Sequence, residues 1–494
     1  MFPFKNNITL DRKSNRNLYL QLCDQIIGFI KSGKLGPSTK LPGSRKLSED
    51  LNIHRKTVIS AYEELISQGW IETFPAKGTF ITSTLPVVKP TDFDNNNRIK
   101  NQKQQSGFSF KSRPDLNPDL NNYSNEQLLK VNDGSPDYRL APIEEITRVY
   151  RNIIKKAHHK KLLTYGSAYG NPELRKALVA YLNQTRGLNV SEENILITRG
   201  SQMGIYLAGQ LLLSSGKRIV VGNTNYMTAD NTFKDAGGII ERIPVDQNGI
   251  NTIALEKLCT SKKIEAVYVT SHHHHPTTVT LSAERRMHLL QLAQQQRFAI
   301  IEDDYDYDFH YSNAPILPLA SNDYKGNVVY IGGFTKIIAP AIRIGYLVAP
   351  KDFIEEATKL RKIIDRQGDS LLEQTLARMI TTGDIQRHCQ KVLKMYKARR
   401  DLFCLLLKEK FDNYFDFEIP KGGMAVWVRL NNKYNWDDLV AESKKLNLEL
   451  NPEWRRYDNV NSGHNSIRLG FASLNEEEIQ LVIQRLEIAF KNIS

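Results

Sequence analysis

Apolar residues recur at helical spacing through roughly the first eighty positions, fade over roughly the next forty, and return as short β-branched runs alternating with amphipathic stretches. In "LYLQLCDQIIGFIKSG" the residues Leu20, Cys23, Ile27 and Ile30 share one helical face, and Gly33 stops the helix. In "LPGSRKLSEDLNIHRKTVISAYEELISQG" Ser44 is the expected N-cap, with Leu47 and Leu51 facing inward. The "LNI" segment then turns, and a further helix buries Val58, Ala61 and Leu65 before ending at Gly69. Two helices joined by so short a turn predict a helix-turn-helix, and "WIETFPAKGTFI" adds strand, turn and strand as a wing.

Residues 84–127 break this periodicity with "NNNRIKNQKQQSG" and "RPDLNPDLNNYSNEQ", a polar composition expected of a flexible linker. From 128 to 494 strand-like runs alternate with amphipathic helices, which predicts an α/β domain with a mostly parallel sheet. The expected organisation is therefore a DNA-binding module over 1–83, the linker, and a large domain over 128–494.

Composition narrows the picture only slightly. With 40% hydrophobic and 24% charged residues among 494, the chain is expected to fold as globular domains. The formal charge of +13 leans toward a polyanionic partner. No apolar run reaches the length of a membrane span and no signal peptide is evident, so a cytoplasmic protein without a membrane partner is expected. Cys23, Cys259, Cys389 and Cys404 lack paired metal-binding or disulfide spacing.

Candidate chemistry lies in both parts. Arg45, His54, Arg55, Lys56 and Thr57 fall at the N-terminal ends of the two helices, with Lys77 and Gly78 at the wing tip. These are positions from which a recognition helix and wing meet bases and phosphates, although the same residues also serve as solvated caps elsewhere. Twelve Lys and Arg against seven Asp and Glu over residues 1–83 leave a charge of +5, a footprint for phosphate contacts.

In the large part, "RFAIIEDDYDYDF" is a buried strand delivering Asp303 and Tyr305 at its C-terminal end. A solvated turn or a magnesium site would give the same local pattern. "ILITRGSQMGIYLAGQLLL" places Gly200, Ser201 and Gln202 where a strand passes into a helix, a ready phosphate site as well as an ordinary capped turn. "IGGFTKIIAPAIRIGYLVAP" carries Thr335, Lys336 and Arg343: a lysine suited to Schiff-base chemistry if desolvated, and an arginine suited to phosphate. Tyr226 in "GNTNYMTADNTF" offers an aromatic plate or half-buried packing. Arg468, inside the apolar strand of "HNSIRLGFASLNEEEI", needs an anionic partner, either a ligand carboxylate or a structural ion pair. His272 to His275 tempt a metal assignment, but successive residues of an extended chain face opposite ways, so no metal site is expected and His275 is expected to border the pocket.

These stretches carry resemblances to known families. "LPGSRKLSEDLNIHRKTVISAYEEL" resembles the GntR-type winged helix, with His54 where many members have Ser. From about residue 133 onward, "YGSAYGNPELRKALVAYL", "EDDYDYDF", the lysine segment and "IRLGF" resemble the fold type I aminotransferases that bind pyridoxal 5′-phosphate (PLP). The resemblance implies Lys336 as the Schiff-base lysine and Asp303 as partner of the ring nitrogen. It makes Tyr305 the partner of the phenolic oxygen, and Arg343 with Ser201 and Gln202 the phosphate cradle. Arg468 becomes a carboxylate clamp and Tyr226 a stacking ring. The combined layout is similar to the MocR family of bacterial regulators, the group that includes the GabR and PdxR types. The chain departs from that pattern with "NTNYM" in place of Glu-x-Pro-x-Tyr-Pro and with Thr335 in place of the usual Ser. The resemblance implies a homodimeric regulator that binds operator DNA and senses an amine, an amino acid or PLP through an aldimine on Lys336. A working aminotransferase with an autoregulatory DNA-binding module is the alternative.

Overall fold

The helix Leu18–Lys31 turns Leu22, Cys23, Ile26 and Ile30 into a core shared with Leu47, Val58, Ala61 and Leu65. The buried arc is centred on the row 22, 26, 30, so Leu20 and Ile27, expected inside, lie at its margin and are half-buried. The helices Ser44–Leu51 and Arg55–Ser67 follow, joined through Asn52, whose left-handed backbone (φ 50°) makes the turn compact. Gly43 and not Ser44 is the N-cap of the first; the Ser44 hydroxyl instead accepts from Arg55 Nε at 3.3 Å, tying the two helix starts together. The strands Ile71–Phe74 and Gly78–Ile81 pair antiparallel as the wing.

In this computed structural model residues 2–85, 106, 108–113, 128–155, 161–311, 316–450 and 465–493 are described. The chain divides into two units, Met1–Ser112 and Arg113–Ser494, and the expected linker over 84–127 lies mostly outside the described residues.

The larger unit is organised by a seven-stranded sheet in the order Ile195–Thr198, Gly345–Val348, Val328–Gly333, Ala299–Asp303, Ala266–Val269, Arg218–Gly222 and Ile239–Ile243. Gly345–Val348 runs antiparallel to both neighbours; the other pairings are parallel. Runs such as "ILIT", "AVYV" and "VVYIGG" are apolar on both faces because helices cover both. Alternation sorts them, with Val220, Val267 and Ile300 in one apolar layer and Ile219, Val221 and Ile301 in the other. Each such side chain contributes roughly 1.5–3 kcal/mol on burial, which is what pins the register.

A smaller antiparallel sheet of Phe415–Phe417, Ala425–Leu430 and Ser466–Gly470 packs with the long helix Asp384–Phe411 and the C-terminal helix Glu476–Ile493. Leu129–Val131 pairs in parallel with Leu448–Leu450, joining segments near the two ends of this unit.

The edge of the large sheet where the parallel strands end is tightly closed. A Cβ on Gly345 would lie 2.7 Å from the carbonyl carbon of Gly200 and 3.0 Å from the oxygen of Gly332. Both obstacles are backbone. Gly345→Ala is therefore expected to destabilise the larger unit by about 2 kcal/mol. Chemical unfolding of the full chain measures this, and an unchanged midpoint would contradict it.

Candidate functional site

Parallel strands deliver their side chains to one end of the sheet, and the candidate site forms there. The strand Ala299–Asp303 ends on Asp303, Val328–Gly333 leads into Thr335 and Lys336, and Ile195–Thr198 leads through Gly200 into the helix Ser201–Leu212. Arg218–Gly222 leads to Tyr226, the cap of the helix Met227–Asp235. Arg343 lies two residues before the antiparallel strand and holds a left-handed backbone, φ 50°.

These residues enclose a cavity of about 220 Å³ lined by Ser201, Gln202, Tyr226, His275, Asp303, Tyr305, Thr335, Lys336, Arg343 and Arg468, together with Asp133, Tyr268 and Thr270. Gly200 stands behind the wall: a Cβ there would come within 2.6 Å of the Arg343 guanidinium. The large-domain site residues expected from the sequence thus converge on one place, and of the histidine run only His275 lines it.

The chemistry of the cavity is set by desolvation. Asp303 is 4% exposed, and burial pushes its carboxyl up to about 7, reinforced by Asp304 and Asp306 and opposed by the Tyr268 hydroxyl and Lys336. Its Oδ2 accepts from Tyr268 at 2.8 Å, while its buried Oδ1 has no hydrogen-bond partner. Burial likewise lowers the Lys336 amine from its ordinary value, with Arg468 adding to the effect and Asp133, Asp306 and Asp303 opposing it. The amine donates to the Gly134 carbonyl at 2.6 Å.

Arg468 is 1% exposed and donates from Nε to the Asp133 carbonyl at 2.6 Å, from Nη1 to the Pro276 carbonyl at 3.3 Å and from Nη2 to the Tyr305 hydroxyl at 3.2 Å. Tyr305 in turn donates to the His273 carbonyl at 3.1 Å. Tyr226 meets His275 edge to face, with centroids 5.3 Å apart.

The donor set fits pyridoxal 5′-phosphate. An orphaned, buried carboxyl oxygen suits a protonated ring nitrogen. The helix N-terminus at Ser201 and Gln202, the Arg343 guanidinium and the Thr335 hydroxyl, itself without a partner, suit a phosphate. A half-buried lysine with a depressed pKa suits an aldehyde.

The histidine run is a bend ending in a cis His275–Pro276 peptide, not an extended strand. Its imidazoles take separate partners: His272 meets Asp304 at 2.9 Å, His273 meets Asp306 at 2.9 Å, and His274 meets the Thr277 hydroxyl at 2.9 Å. His275 lies 3.8 Å from Asp133.

Asp133, Gly134, Tyr268 and Thr270 escaped sequence reasoning. Tyr268 carried a usable signal, since a hydroxyl within the buried run "AVYV" requires a polar partner. The segment "NDGS" carried none, because Gly134 meets Lys336 across 202 residues of chain.

In the smaller unit Arg45, His54, Arg55, Lys56 and Lys77 are exposed, Thr57 and Gly78 half-buried. His54 caps the helix Arg55–Ser67, its Nδ1 accepting from the Lys56 amide at 3.2 Å. Gly78 at the wing tip has φ 109°, a conformation that favours glycine.

Comparison with known proteins follows the same division. Residues 127–486 match the family "Aminotransferase class I and II", and residues 18–81 match "Bacterial regulatory proteins, gntR family". The chain is similar to an uncharacterized HTH-type transcriptional regulator, YdfD, of Bacillus subtilis, at 28% identity covering 95% of this chain and 96% of the other. It is similar to the probable rhizopine catabolism regulatory protein MocR of Rhizobium meliloti, at 25% identity covering 98% and 96%. The multiple substrate aminotransferase of Thermococcus profundus resembles 75% of this chain over 92% of its own, at 28% identity and a TM-score of 0.70.

The buried carboxyl gives a test by pH. Cofactor-free, folded protein binds the Asp303 proton up to about 7, whereas an open chain releases it near 3.8. The folded state thus holds more protons in that window, and this contribution to stability falls as pH rises through it. Asp303→Asn is expected to gain stability relative to the parent between about pH 5 and about pH 8 in urea unfolding of cofactor-free protein. An equal difference at both pH values would contradict the assignment.

Proposed function

The chain belongs to the aminotransferase class I and II family and, with its GntR-family domain, is a MocR-type, PLP-dependent DNA-binding regulator; we propose that it senses a small amine, an amino acid or the cofactor itself at Lys336. The observation that carries this reading is the convergence of Lys336, Asp303, Arg343 and the Ser201 helix terminus on one cavity.

Bound PLP supplies an aldehyde carbon that condenses with primary amines. The chain's own groups take defined parts in this reading. Lys336 provides an amine that burial holds nearer neutrality than a surface lysine, which keeps its lone pair available. Asp303 Oδ1 would hold a proton on the cofactor's ring nitrogen, and the Tyr268 hydroxyl orients that carboxyl through Oδ2. Arg343, Ser201, Gln202 and Thr335 would hold the phosphate, with Gly200 allowing the guanidinium its close approach. Tyr226 and His275, in edge-to-face contact, would pack against the ring, and Tyr305, tied to Arg468, would serve its phenolic oxygen. Arg468, bonded to Asp133, Pro276 and Tyr305, would serve as the carboxylate clamp.

Sensing requires that the ligand bind two states of the protein unequally, typically by ~1–3 kcal/mol. In this reading the protein is a homodimer in the cytoplasm, its two winged helices on paired half-sites of double-stranded DNA. Exposed apolar side chains on the larger unit, among them Tyr138, Leu163 and Tyr165, supply surface for such pairing. Among the described residues no helix is long and apolar enough to cross a membrane. The likeness to a working aminotransferase favours turnover as the second reading, and a multiple-turnover assay with a keto acid acceptor separates the two.

Two outcomes test the proposal. Protein loaded with PLP is expected to absorb in the visible and Lys336→Ala to lose that band; an unchanged spectrum in the variant would remove the lysine from the site. Arg55→Ala is expected to weaken binding to the chain's own upstream DNA and to lower the salt slope by about 1, as loss of one phosphate contact requires. Binding and slope both unchanged would exclude Arg55 from the interface.

A further inference from the structure

The wing of the smaller unit has a third, strand-like edge. The Ser38 and Leu41 amides donate to the Ile81 and Thr79 carbonyls at 2.9 and 2.8 Å, and the Ile81 amide donates to the Thr39 carbonyl at 2.9 Å. Lys40 thereby pairs antiparallel with Phe80. Just beyond it, the Pro42 carbonyl accepts from the Tyr62 hydroxyl of the helix Arg55–Ser67 at 2.7 Å, and Gly43 caps the helix Ser44–Leu51. Residues 38–43 therefore fasten the wing to both helices of the helix-turn-helix, and Lys40 is the basic residue on that fastening.

The side chain is aimed as well as placed. Directly opposed residues of an antiparallel ladder share a face, so Lys40 lies with Phe80 and Glu72, while Ile71 and Ile81 on the other face are buried in the core. The Lys40 amine stands over the Phe80 ring, 5.7 Å from its centroid. From there it runs toward the wing tip: a Cβ on Gly78 would lie 3.1 Å from Lys40 Cε and 3.7 Å from Nζ. Gly78 thus both turns the tip and leaves room for the ammonium. Lys40 is exposed and forms no ion pair among the described residues. Glu72, the carboxylate on its face, instead accepts from the Ser83 amide at 3.3 Å. A positive charge is therefore held beside the wing tip on an ordered stem.

Resting on the DNA-binding reading above, we propose that Lys40 binds a backbone phosphate of the operator duplex, a contact that connects the wing tip at Lys77 and Gly78 with the helix start at Arg45. The ammonium is a point charge whose stem is already packed on Phe80 and the Gly78 backbone, so little freedom is lost on binding. A phosphate contact carries no base information directly, so Lys40 strengthens binding to every sequence alike and leaves operator preference to the recognition helix. Because residues 38–43 also hold both helices, the contact ties the position of the wing on DNA to that of the recognition helix.

The test is binding of the full chain to a duplex of its own upstream DNA across a salt series. Lys40→Met removes the charge and keeps a stem to pack on Phe80. It is expected to weaken binding ~5-fold at about 0.15 M salt, by less at higher salt, and to lower the salt slope by about 1. Lys40→Arg is expected to keep the slope. Lys31→Met makes the same charge change at the wing root, where the amine stands 5.6 Å from the Trp70 ring centroid, and is expected to leave the slope unchanged. A parental slope in Lys40→Met would make Lys40 a packing residue only, and an equal fall in Lys31→Met would reduce the effect to net charge; either overturns the proposal. On the parent chain, DNA is expected to shield Lys40 from acetic anhydride and to leave Lys31 reactive, as read by peptide mapping. Lys40 equally reactive with and without DNA would overturn the proposal even if the variants fail to fold. Absence of salt-dependent binding by the parent would instead overturn DNA binding itself, an outcome distinct from loss of one contact.

Discussion

A carboxyl and an amine kept out of water at one end of a sheet impose the constraint from which the rest of the larger unit follows. Raising Asp303 from 3.8 to about 7 represents a differential on the order of 4 kcal/mol between its two protonation states. That is a large share of the 5–15 kcal/mol by which domains are stable at all. The strain is tolerable because the apolar strands on both sides are fully buried and hold the carboxyl rigidly. It is useful because a cationic ring nitrogen turns the uncompensated oxygen into a partnered one. The same desolvation depresses the Lys336 amine, so one physical cause prepares both ends of the site.

The phosphate end works on a different principle. Its donors are a helix terminus, hydroxyls and a guanidinium, none of which needs a shifted pKa to act. What it needs is close backbone approach, and Gly200 and Gly345 supply it by lacking side chains where strand, loop and Arg343 meet. The smaller unit depends on neither device. Its exposed basic residues stand on helix starts and a wing tip held by a single apolar cluster, a scaffold that presents charge to a polyanion.

Much of this was legible in the sequence, for identifiable reasons. A parallel strand buried on both faces reads as a continuous β-branched run, so the elements ending at Asp303, Thr198 and Gly333 announced themselves, and the sites at their C-terminal ends came with them. Arg468 was legible because a charge inside an apolar strand demands an explanation. Ser44 was misread as a cap because cap preference is local, whereas its hydroxyl answers to Arg55 across the turn. The face of the helix Leu18–Lys31 was read about a fifth of a turn off, since Leu20 and Ile27 are apolar yet sit at the margin of the buried arc. Asp133 and Gly134 were invisible, because their meaning lies in a partner more than two hundred residues away.

The account stands or falls on which nitrogen meets the aldehyde. Reduction of the PLP-loaded full chain with borohydride, followed by peptide mapping, reads this directly. The pyridoxyl group is predicted on the peptide containing Lys336 and on no other lysine. Modification spread over surface lysines, or carried by a single lysine elsewhere, would contradict the assignment of the cavity.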